Sequence, residues 1–340
     1  MANKALVQVT KSGLYCAAGD FYIDPWRSVE TAVITHAHSD HARAGHGAYY
    51  CSQSGMPILK HRLGREWDYR PLAYCEPVRL GKATVSLHPA GHILGSAQVR
   101  IEVDGEIWVV SGDYKRDDDP TCEPFEVVPC DTFITEATFG LPIYRWHPTT
   151  ETAREIYEWW QQCRAKGRSA MLFCYALGKA QRVLGELLTY TKEPVYLHGA
   201  VDVLTKIYRQ ASVPMVPTVP VAQVEKMQSL AGELILAPPS AFRSAWMKRF
   251  KSLETGFASG WMRVRGGRRH RGYDRGFVLS DHADWPQLIR TIQETGAKRI
   301  LVTHGKSDVL VRYLREQGYH AQALEAHYED DSDDGEEGAA

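Results

Sequence analysis

The stretch ITHAHSDHARAGH, from Ile34 to His46, places four histidines and an aspartate within thirteen positions. An apolar run precedes it and predicts a strand, so His36 and His38 come where that strand ends. Because residues two apart in an extended chain point to the same side, both imidazoles can converge on one ion. Asp40 and His41 follow one step later and can serve a second ion. The stretch therefore predicts about half of a two-metal site.

Further candidate ligands follow other predicted strands. His92 lies between glycines in HPAGHILGSAQV, Asp113 ends WVVSGDY, and His304 lies in ILVTHGKSD. Imidazole nitrogen and carboxylate oxygen suit zinc, manganese or iron at about 2.0–2.2 Å, and the two oxygens of Asp113 could bridge two ions. The alternative, a polar loop whose histidines cap a helix, accounts for a lone histidine better than for this set. His46 is expected to be a loop residue only.

The composition is that of a globular protein with almost no net charge. The chain has 340 residues, of which 44% are hydrophobic and 24% charged, and its net charge is −1. Attraction of an anionic substrate must therefore come from a local patch or from bound cations. The seven cysteines form no C-x-x-C pair, which favours reduced thiols. Neither an apolar leader nor a run of about 18 apolar residues is found, which predicts a cytoplasmic protein without a membrane partner.

The secondary-structure pattern changes along the chain. Up to about Phe139 it is typical of short strands with little helix. From about Thr149, predicted strands alternate with amphipathic helices, which predicts a parallel sheet covered by helices. The final EDDSDDGEEGAA is acidic and lacks apolar residues that would anchor it, which predicts a disordered tail.

Taken together, these motifs resemble the metallo-β-lactamase superfamily. FITEATFG, VLSDHADW and LVTHGKSD resemble the additional motifs of its β-CASP nuclease branch, which includes Artemis-type DNA nucleases and the pre-mRNA 3′-end cleavage endonuclease. GDFYIDPWR, YALGKAQR, FASGWM and SDHADWP together are most similar to bacterial DNA ligase-associated exonucleases. The resemblance covers nearly the whole chain except the acidic tail.

The resemblance implies an α/β fold, namely a metallo-β-lactamase αββα sandwich with an inserted β-CASP α/β domain. Residues 1–148 would form the first part of the sandwich and residues 276–327 would complete it. The β-CASP domain would span residues 149–275, and residues 328–340 would be the acidic disordered tail.

The resemblance also implies two divalent metal ions, with zinc expected first and manganese as the alternative. One ion would be held by His36, His38, His92 and Asp113. The other would be held by Asp40, His41, Asp113 and His304. Artemis-type proteins lack a histidine in the last motif, so His304 groups this chain with the RNA-cleaving and ligase-associated relatives.

Residues around the ligands are assigned roles by the same resemblance. The family's first motif is an aspartate that orients the ligand loop; Asp24 in FYID matches it best, and Asp20 is a possible substitute. Glu136 is the motif-A acid and His282 the motif-B histidine, and Asp40 counts as catalytic as well as a ligand. We expect His282 to protonate the leaving oxygen, and Glu136 to orient the His282 ring through its other nitrogen. The alternatives for His282 are a supporting role behind the ligands or a helix cap.

Substrate contacts are expected from a basic stretch between Arg243 and Arg275, which has interleaved aromatic residues such as Phe257 and Trp261. This composition suits phosphate contact with base stacking, and the alternative is a solvated charged face. Candidates from this stretch are Arg263, Arg265, Arg268 and Arg269. Lys179 and Arg182 in YALGKAQR would add contacts at a helix start, where free amides attract phosphate; a packing role is the alternative there.

These features predict a two-metal phosphodiesterase that cleaves DNA by metal-activated hydroxide attack. By resemblance alone, it would be an exonuclease acting on single strands or ends in DNA repair, with a DNA ligase and a helicase as functional associates. The runner-up is an RNA-processing endo- or exoribonuclease of the same branch. A small-molecule hydrolase is disfavoured by the inserted domain and the arginine-rich stretch. A non-catalytic nucleic-acid-binding subunit is disfavoured because every ligand position is filled.

Overall fold

The computed structural model describes residues 5–225, 229–264, 272–305 and 307–324. Contacts divide the chain into two compact units. The first contains the described residues up to Asp118, together with Cys122–Arg145 and those from His282 onward. The second contains Asp119–Thr121 and Trp146–Asp281. The longer segment, Trp146–Asp281, begins before the predicted start of the insertion at residue 149 and ends after its predicted end at residue 275. The predicted acidic tail lies outside the described residues.

The described strands in chain order are β1 (Val7–Val9), β2 (Leu14–Cys16), β3 (Phe21–Ile23), β4 (Thr31–Val33), β5 (Ala48–Ser52), β6 (Asp68–Leu72), β7 (Val78–Leu80), β8 (Ala83–Pro89), β9 (Ala97–Val103), β10 (Glu106–Val110), β11 (Thr132–Thr135), β12 (Ser169–Phe173), β13 (Val195–Leu197), β14 (Thr218–Pro220), β15 (Leu234–Ala237), β16 (Leu253–Ala258), β17 (Arg275–Phe277), β18 (Arg299–Val302) and β19 (His320–Ala323). The described α-helices are α1 (Met56–Leu63), α2 (Thr149–Ala165), α3 (Lys179–Glu186), α4 (Gly199–Gln210), α5 (Trp285–Thr295) and α6 (Ser307–Glu316). Short 3₁₀ segments are Leu187–Thr189, Val221–Gln223, Pro239–Ala241, Met247–Arg249 and Gly260–Arg263.

The first unit contains two mixed sheets. One has the order β1-β2-β3-β4-β5-β6, and its pairs are antiparallel up to β3 and parallel from there. The other has the order β19-β18-β11-β10-β9-β8-β7. Its β19, β18, β11 and β10 pair in parallel, whereas β9 pairs antiparallel with both β10 and β8. Because β8 and β10 both run opposite to β9, they point the same way as β11 and β18.

The two sheets of the first unit share one apolar core. Phe21 and Val33 of the first sheet belong to the same buried cluster as Val99, Trp108 and Leu301 of the second. The apolar alternation of strands such as β9, AQVRIEV, supplies the inward side chains of this cluster. Burial of apolar surface of this kind is the main stabilising contribution in a folded domain, at roughly 25 cal/mol per Å².

Helices α5 and α6 cover the other side of the second sheet. Leu288 and Ile292 of α5 and Leu310 of α6 share a buried cluster with Phe133 of β11 and Ile300 of β18. Helix α5 begins with Asp284 as its N-cap, whose carboxylate accepts a hydrogen bond from the backbone N–H of Gln287 at 3.0 Å. This cap fixes where the chain leaves the loop that carries His282.

The second unit contains a parallel sheet with the order β14-β13-β15-β12-β16-β17. Its edge strand β17 extends past the predicted boundary at residue 275. Helix α2 buries Ile156, Trp159, Trp160 and Cys163, and the indole N–H of Trp159 donates to Glu254 on β16 at 2.8 Å. The helix predicted to begin near Thr149 and the parallel sheet with helices are both confirmed.

The chain is therefore a mixed α/β protein with several sheets, as predicted. Strands dominate up to residue 139, where α1 is the one α-helix among the described residues of that segment. Within the described ranges, no helix is both long and apolar enough to cross a membrane.

Candidate metal centre

The predicted ligands of the second sheet meet at one of its edges. Strands β8, β10, β11 and β18 all run in the same direction, so their C-terminal ends share that edge. His92 follows β8, Asp113 follows β10, and His304 follows β18. The loop after β4 of the first sheet adds the opening histidines and Asp40. This explains how residues spread over 269 positions of the sequence, from His36 to His304, can form a single site.

Four buried side chains form the first ligand group, and their donor atoms lie within 4.8 Å of one another: His36, His38, His92 and Asp113. His38 Nδ1 is 3.1 Å from His36 Nε2 and 3.0 Å from His92 Nε2. His36 Nε2 is 3.4 Å from Asp113 Oδ2. Three imidazole nitrogens and one carboxylate oxygen therefore face a common point.

Three side chains form the second ligand group within the same distance limit: Asp40, His41 and His304. His41 Nε2 is 3.3 Å from Asp40 Oδ2, and the rings of His41 and His304 are stacked with centroids 5.2 Å apart. Asp113 Oδ2 is also 3.4 Å from His41 Nε2, the same distance that separates it from His36 Nε2. The carboxylate of Asp113 thus lies between the two groups.

The donor set fits two divalent cations. Ligands bound tetrahedrally at about 2.0–2.2 Å lie roughly 3.3–3.6 Å apart, and the distances of 3.3 and 3.4 Å around Asp113 and His41 match this spacing. The second oxygen of Asp113, Oδ1, is buried and has no hydrogen-bond partner among the described residues. Because a buried carboxylate oxygen without a partner is costly, a cation at this position would remove that cost.

Asp24 forms hydrogen bonds to the loop after β4, which carries several of the predicted ligands. Its Oδ1 accepts the Thr35 backbone N–H at 2.8 Å, and its Oδ2 accepts the Thr35 hydroxyl at 2.6 Å. His41 Nδ1 lies 2.7 Å from the same Oδ2, which directs Nε2 towards the ligand group. Asp20 is exposed and accepts a hydrogen bond from the Tyr15 hydroxyl. Of the two candidate aspartates, only Asp24 contacts a predicted ligand.

Two threonines that were not predicted support the histidines next to them. Thr35 Oγ1 lies 3.1 Å from His36 Nδ1, and Thr303 Oγ1 lies 3.1 Å from His304 Nδ1. In each case the threonine engages one ring nitrogen, so that the other can face a cation. A sequence signal existed, because an apolar residue followed by Thr and His occurs where both strands end, as ITH after β4 and as VTH from the last residue of β18.

Glu136 and His282 form a buried pair beside the first ligand group. His282 Nδ1 lies 3.0 Å from Glu136 Oε2 and 3.2 Å from Oε1, and Glu136 Oε1 also accepts the Tyr114 backbone N–H at 2.8 Å. The ring of His282 lies 4.7 Å from that of His92, centroid to centroid. Since Asp284 is the N-cap of α5, His282 does not have the helix-capping role considered as an alternative.

Two glycines allow the backbone approaches that the ligands require. Gly91, before His92, has φ +71°, and a Cβ there would lie 2.4 Å from the carbonyl oxygen of Lys115. Gly112, before Asp113, has φ +57°, and a Cβ there would lie 2.7 Å from the Thr35 side chain. Both positions combine a left-handed conformation with a lack of space, so only glycine fits.

Electrostatics favour ligand-competent protonation states. Burial, assisted by the charge of His41, lowers the pKa of His36 well below its usual value, and burial lowers the pKa of His304. Burial favours neutral Asp113, but nearby histidine charges, first that of His41, hold the pKa of Asp113 well below its usual range. Neutral imidazole and ionised carboxylate are the forms that bind metals.

His41 differs from the other histidines. Burial opposes its protonation, but the surrounding carboxylates, first that of Asp40, raise the pKa of His41 well above its usual value. The negative charge that attracts a proton to this position would attract a cation equally well.

Arg182 and Lys179, two of the residues expected to contact the substrate, pair with carboxylates of the second unit. Arg182 is fully buried, and its guanidinium lies 3.4 Å from Asp119 Oδ2 and also bonds the hydroxyl of Thr149. Lys179, the first residue of α3 as predicted, is buried 3.6 Å from Asp281 Oδ2. Each of these two basic side chains thus has a buried carboxylate partner, which favours the packing role considered as the alternative, while the phosphate contacts stay a prediction.

The predicted basic stretch is only partly described. Arg263 is exposed at the end of a 3₁₀ segment, whereas Arg265, Arg268 and Arg269 lie outside the described residues. Phe257, expected among the base-stacking aromatics, is instead fully buried and stacked on Tyr273 with ring centroids 4.8 Å apart. Its alternation within β16 directs it into the core of the second unit.

Comparison with known proteins finds relatives that match this chain over only part of their own length. No family model matches the chain. A probable DNA ligase of Opitutus terrae is 31% identical over 315 residues, which cover 92% of this chain and 30% of that protein. A ribonuclease of Thermus thermophilus is 29% identical over 52% of this chain and 48% of its own length. An RNase J-like protein of Methanocaldococcus jannaschii is 24% identical over 54% of this chain and 50% of its own length. The chain thus spans between 30% and 50% of the length of these curated relatives.

A solved structure shares the fold. A protein of unknown function from Enterococcus faecalis V583 superposes with a TM-score of 0.55 at 11% identity, over 82% of this chain and 75% of that chain. At this identity the likeness concerns the fold alone. Sequence relatives and ligand motifs point to the same family, the β-CASP branch of the metallo-β-lactamase superfamily.

Proposed function

We propose that this protein is a metal-dependent nuclease whose centre holds two divalent cations. The observation that carries the proposal is the position of Asp113 Oδ2, 3.4 Å from the Nε2 atoms of both His36 and His41. One carboxylate that faces two complete ligand groups is the arrangement expected of a bridging ligand. The nuclease names of several relatives support hydrolysis of nucleic acid as the activity.

The first cation would be held by His36, His38, His92 and Asp113, and the second by Asp40, His41, Asp113 and His304. These donors are nitrogen and oxygen without sulfur, which suits zinc and also admits manganese. When bound, two such cations lower the pKa of a water molecule and neutralise charge that develops on a phosphodiester.

His282 supplies the proton in this proposal. Its Nδ1 faces the Glu136 carboxylate, which fixes the plane of the ring. The Tyr114 backbone N–H holds Glu136 in turn. His282 Nε2 would then donate a proton to the leaving oxygen, as a general acid. Glu136 touches no reacting atom and acts through His282.

For the fold, we propose the αββα sandwich that the resemblance implies, with the second unit as the inserted β-CASP domain. The core shared by the two sheets and the packing of α5 and α6 on the second sheet support this proposal.

We propose DNA as the substrate, and exonucleolytic repair alongside a ligase as the role. The relative that matches 92% of this chain is named a probable DNA ligase, and this chain corresponds to 30% of it. A counterpart of this chain thus occurs within a longer ligase-named protein, which supports a functional link to ligation. RNA is the second candidate substrate, because other relatives are ribonucleases.

The test is digestion of end-labelled single-stranded DNA, double-stranded DNA and RNA of one sequence by the purified full chain. Each substrate is incubated with manganese, with zinc and with a chelator, and the product lengths are resolved. Metal-dependent shortening of DNA from one end is expected. RNA cut much faster than DNA would overturn the substrate, and no metal-dependent cleavage of any substrate would overturn the nuclease.

A further inference from the structure

A second set of metal-ligand side chains lies in the first unit and shares no residue with the candidate metal centre. Cys75 follows β6, His88 is in β8, and Glu126 is in the segment before β11. Cys75 Sγ is 3.6 Å from His88 Nδ1 and 3.4 Å from Glu126 Oε2, and His88 Nδ1 is 3.2 Å from Glu126 Oε1. Thiol, imidazole and carboxylate thus face one point near the surface.

Backbone hydrogen bonds hold this cluster in place. The Cys75 N–H donates to the carbonyl of Leu87 at 2.8 Å, and the Glu126 N–H donates to the carbonyl of Pro89 at 3.1 Å. These two carbonyls flank His88 along β8. The backbones of Cys75 and Glu126 are therefore both hydrogen-bonded to the strand that carries His88. Cys75 has φ +63°, a left-handed conformation that is uncommon for a residue other than glycine. The fold therefore places the backbones of the three residues next to one another.

The distances match tetrahedral zinc coordination. A Zn–S bond of about 2.3 Å and Zn–N or Zn–O bonds of about 2.0–2.2 Å place the donors roughly 3.3–3.6 Å apart. The three observed separations are 3.2, 3.4 and 3.6 Å. His88 Nε2 lies 3.0 Å from the buried hydroxyl of Ser86. This hydroxyl can accept the Nε2 proton, which leaves the lone pair of Nδ1 for a cation.

A nucleophilic or redox thiol explains the cluster less well. In a Cys–His–carboxylate triad the thiol and the carboxylate face different ring nitrogens, whereas Cys75 and Glu126 face the same Nδ1 of His88. Burial, with a hydrogen bond to Glu126, raises the pKa of the Cys75 thiol. The thiol therefore has little of the thiolate character that such chemistry needs unless a cation displaces its proton, as a bound metal does.

We propose that Cys75, His88 and Glu126 bind one zinc ion, with the fourth coordination position open to water. The mixture of sulfur, nitrogen and oxygen donors favours zinc over magnesium, calcium or manganese. Because the ligands come from two loops and a strand, the bound ion would tie both loops to β8 and stabilise the folded chain.

The test is a titration of the metal-stripped full chain with cobalt(II), a spectroscopic substitute for zinc. A cobalt–thiolate bond gives a charge-transfer band in the near ultraviolet, and the candidate metal centre contains no cysteine that could give one. Wild type and Glu126→Gln are compared with Cys75→Ser, and Cys122→Ser is the matched control, since Cys122 is also partly exposed. Far-ultraviolet circular dichroism checks that every variant is folded.

We expect the band in wild type and Cys122→Ser, its loss in Cys75→Ser, and weaker cobalt binding in Glu126→Gln. Wild type should also retain one more molar equivalent of zinc than Cys75→Ser by elemental analysis. Absence of the band in wild type, or its survival in folded Cys75→Ser, would overturn the proposal. None of these outcomes depends on nuclease activity.

Discussion

Replacement of Asp24 by asparagine should weaken the second cation site selectively. Asp24 Oδ2 lies 2.7 Å from His41 Nδ1, whose proton it accepts, while Oδ1 accepts the Thr35 N–H at 2.8 Å. Asparagine can retain the bond to Thr35 through its oxygen, but its amide nitrogen then faces His41 Nδ1. A cation at Nε2, the atom 3.3 Å from Asp40 Oδ2, would leave His41 with only its Nδ1 proton, which Asp24 accepts. The amide nitrogen of asparagine cannot accept that proton, so the form of His41 that binds a cation would lose its hydrogen bond.

The expected loss follows from the cost of replacing a group that orients a metal-bound histidine. Such replacements typically cost 10–100-fold in metal affinity, which corresponds to about 1.4–2.8 kcal/mol. Asparagine is preferable to alanine because alanine would leave buried donors without a partner, at about 1–3 kcal/mol each. The protein would then lose stability as well as metal, and the two effects would be mixed.

Calorimetric titration of the metal-stripped chain with manganese measures the affinity directly. Asp24→Asn should lose 10–100-fold in affinity for one equivalent and retain the affinity of the first ligand group. Asp20→Asn is the matched control, because Asp20 is exposed and bonds only the Tyr15 hydroxyl among the contacts described for it. Wild-type affinity at every site in Asp24→Asn, or an equal loss in Asp20→Asn, would refute the reasoning.

Three other predictions test neighbouring parts of the account. His282→Ala should slow cleavage by about 10²–10⁴-fold without releasing metal; metal loss by elemental analysis would instead make His282 a ligand. Gly112→Ala should lower the free energy of unfolding by about 1–3 kcal/mol in urea titrations, because the new Cβ meets Thr35. Gly105→Ala, with no atom within 4 Å of its Cβ, is the control for positive φ, and an equal loss there would remove the steric argument. Arg182→Gln should cost about 3 kcal/mol of stability because it leaves a buried carboxylate unpaired, and unchanged urea unfolding would return Arg182 to the candidate substrate contacts.

The grouping of the candidate ligands could be predicted because their sequence signals are local. Each ligand or group of ligands follows a strand that its own apolar pattern reveals, as His36 follows β4 and His304 follows β18. Strands that run in one direction end at one edge of a sheet, so these residues can be expected to meet without knowledge of the full topology. Their chemistry then predicts the kind of ion.

Other features depend on tertiary contacts that no local pattern specifies. Asp20 and Asp24 lie four positions apart in similar surroundings, and only the packing of Thr35 and His41 against Asp24 distinguishes them. Arg182 lies at a helix start, as a phosphate ligand would, but its partner Asp119 is 63 positions away. Long-range pairing of this kind decides whether a basic side chain is free to contact a substrate phosphate.

The most direct test of the central claim compares wild type with Asp113→Ala on end-labelled single-stranded DNA, with cleavage and binding measured in the same samples. If Asp113 bridges two cations, the variant should lose cleavage and retain much of its DNA binding. Cleavage by Asp113→Ala at the wild-type rate would contradict the bridging role and the two-metal nuclease built on it.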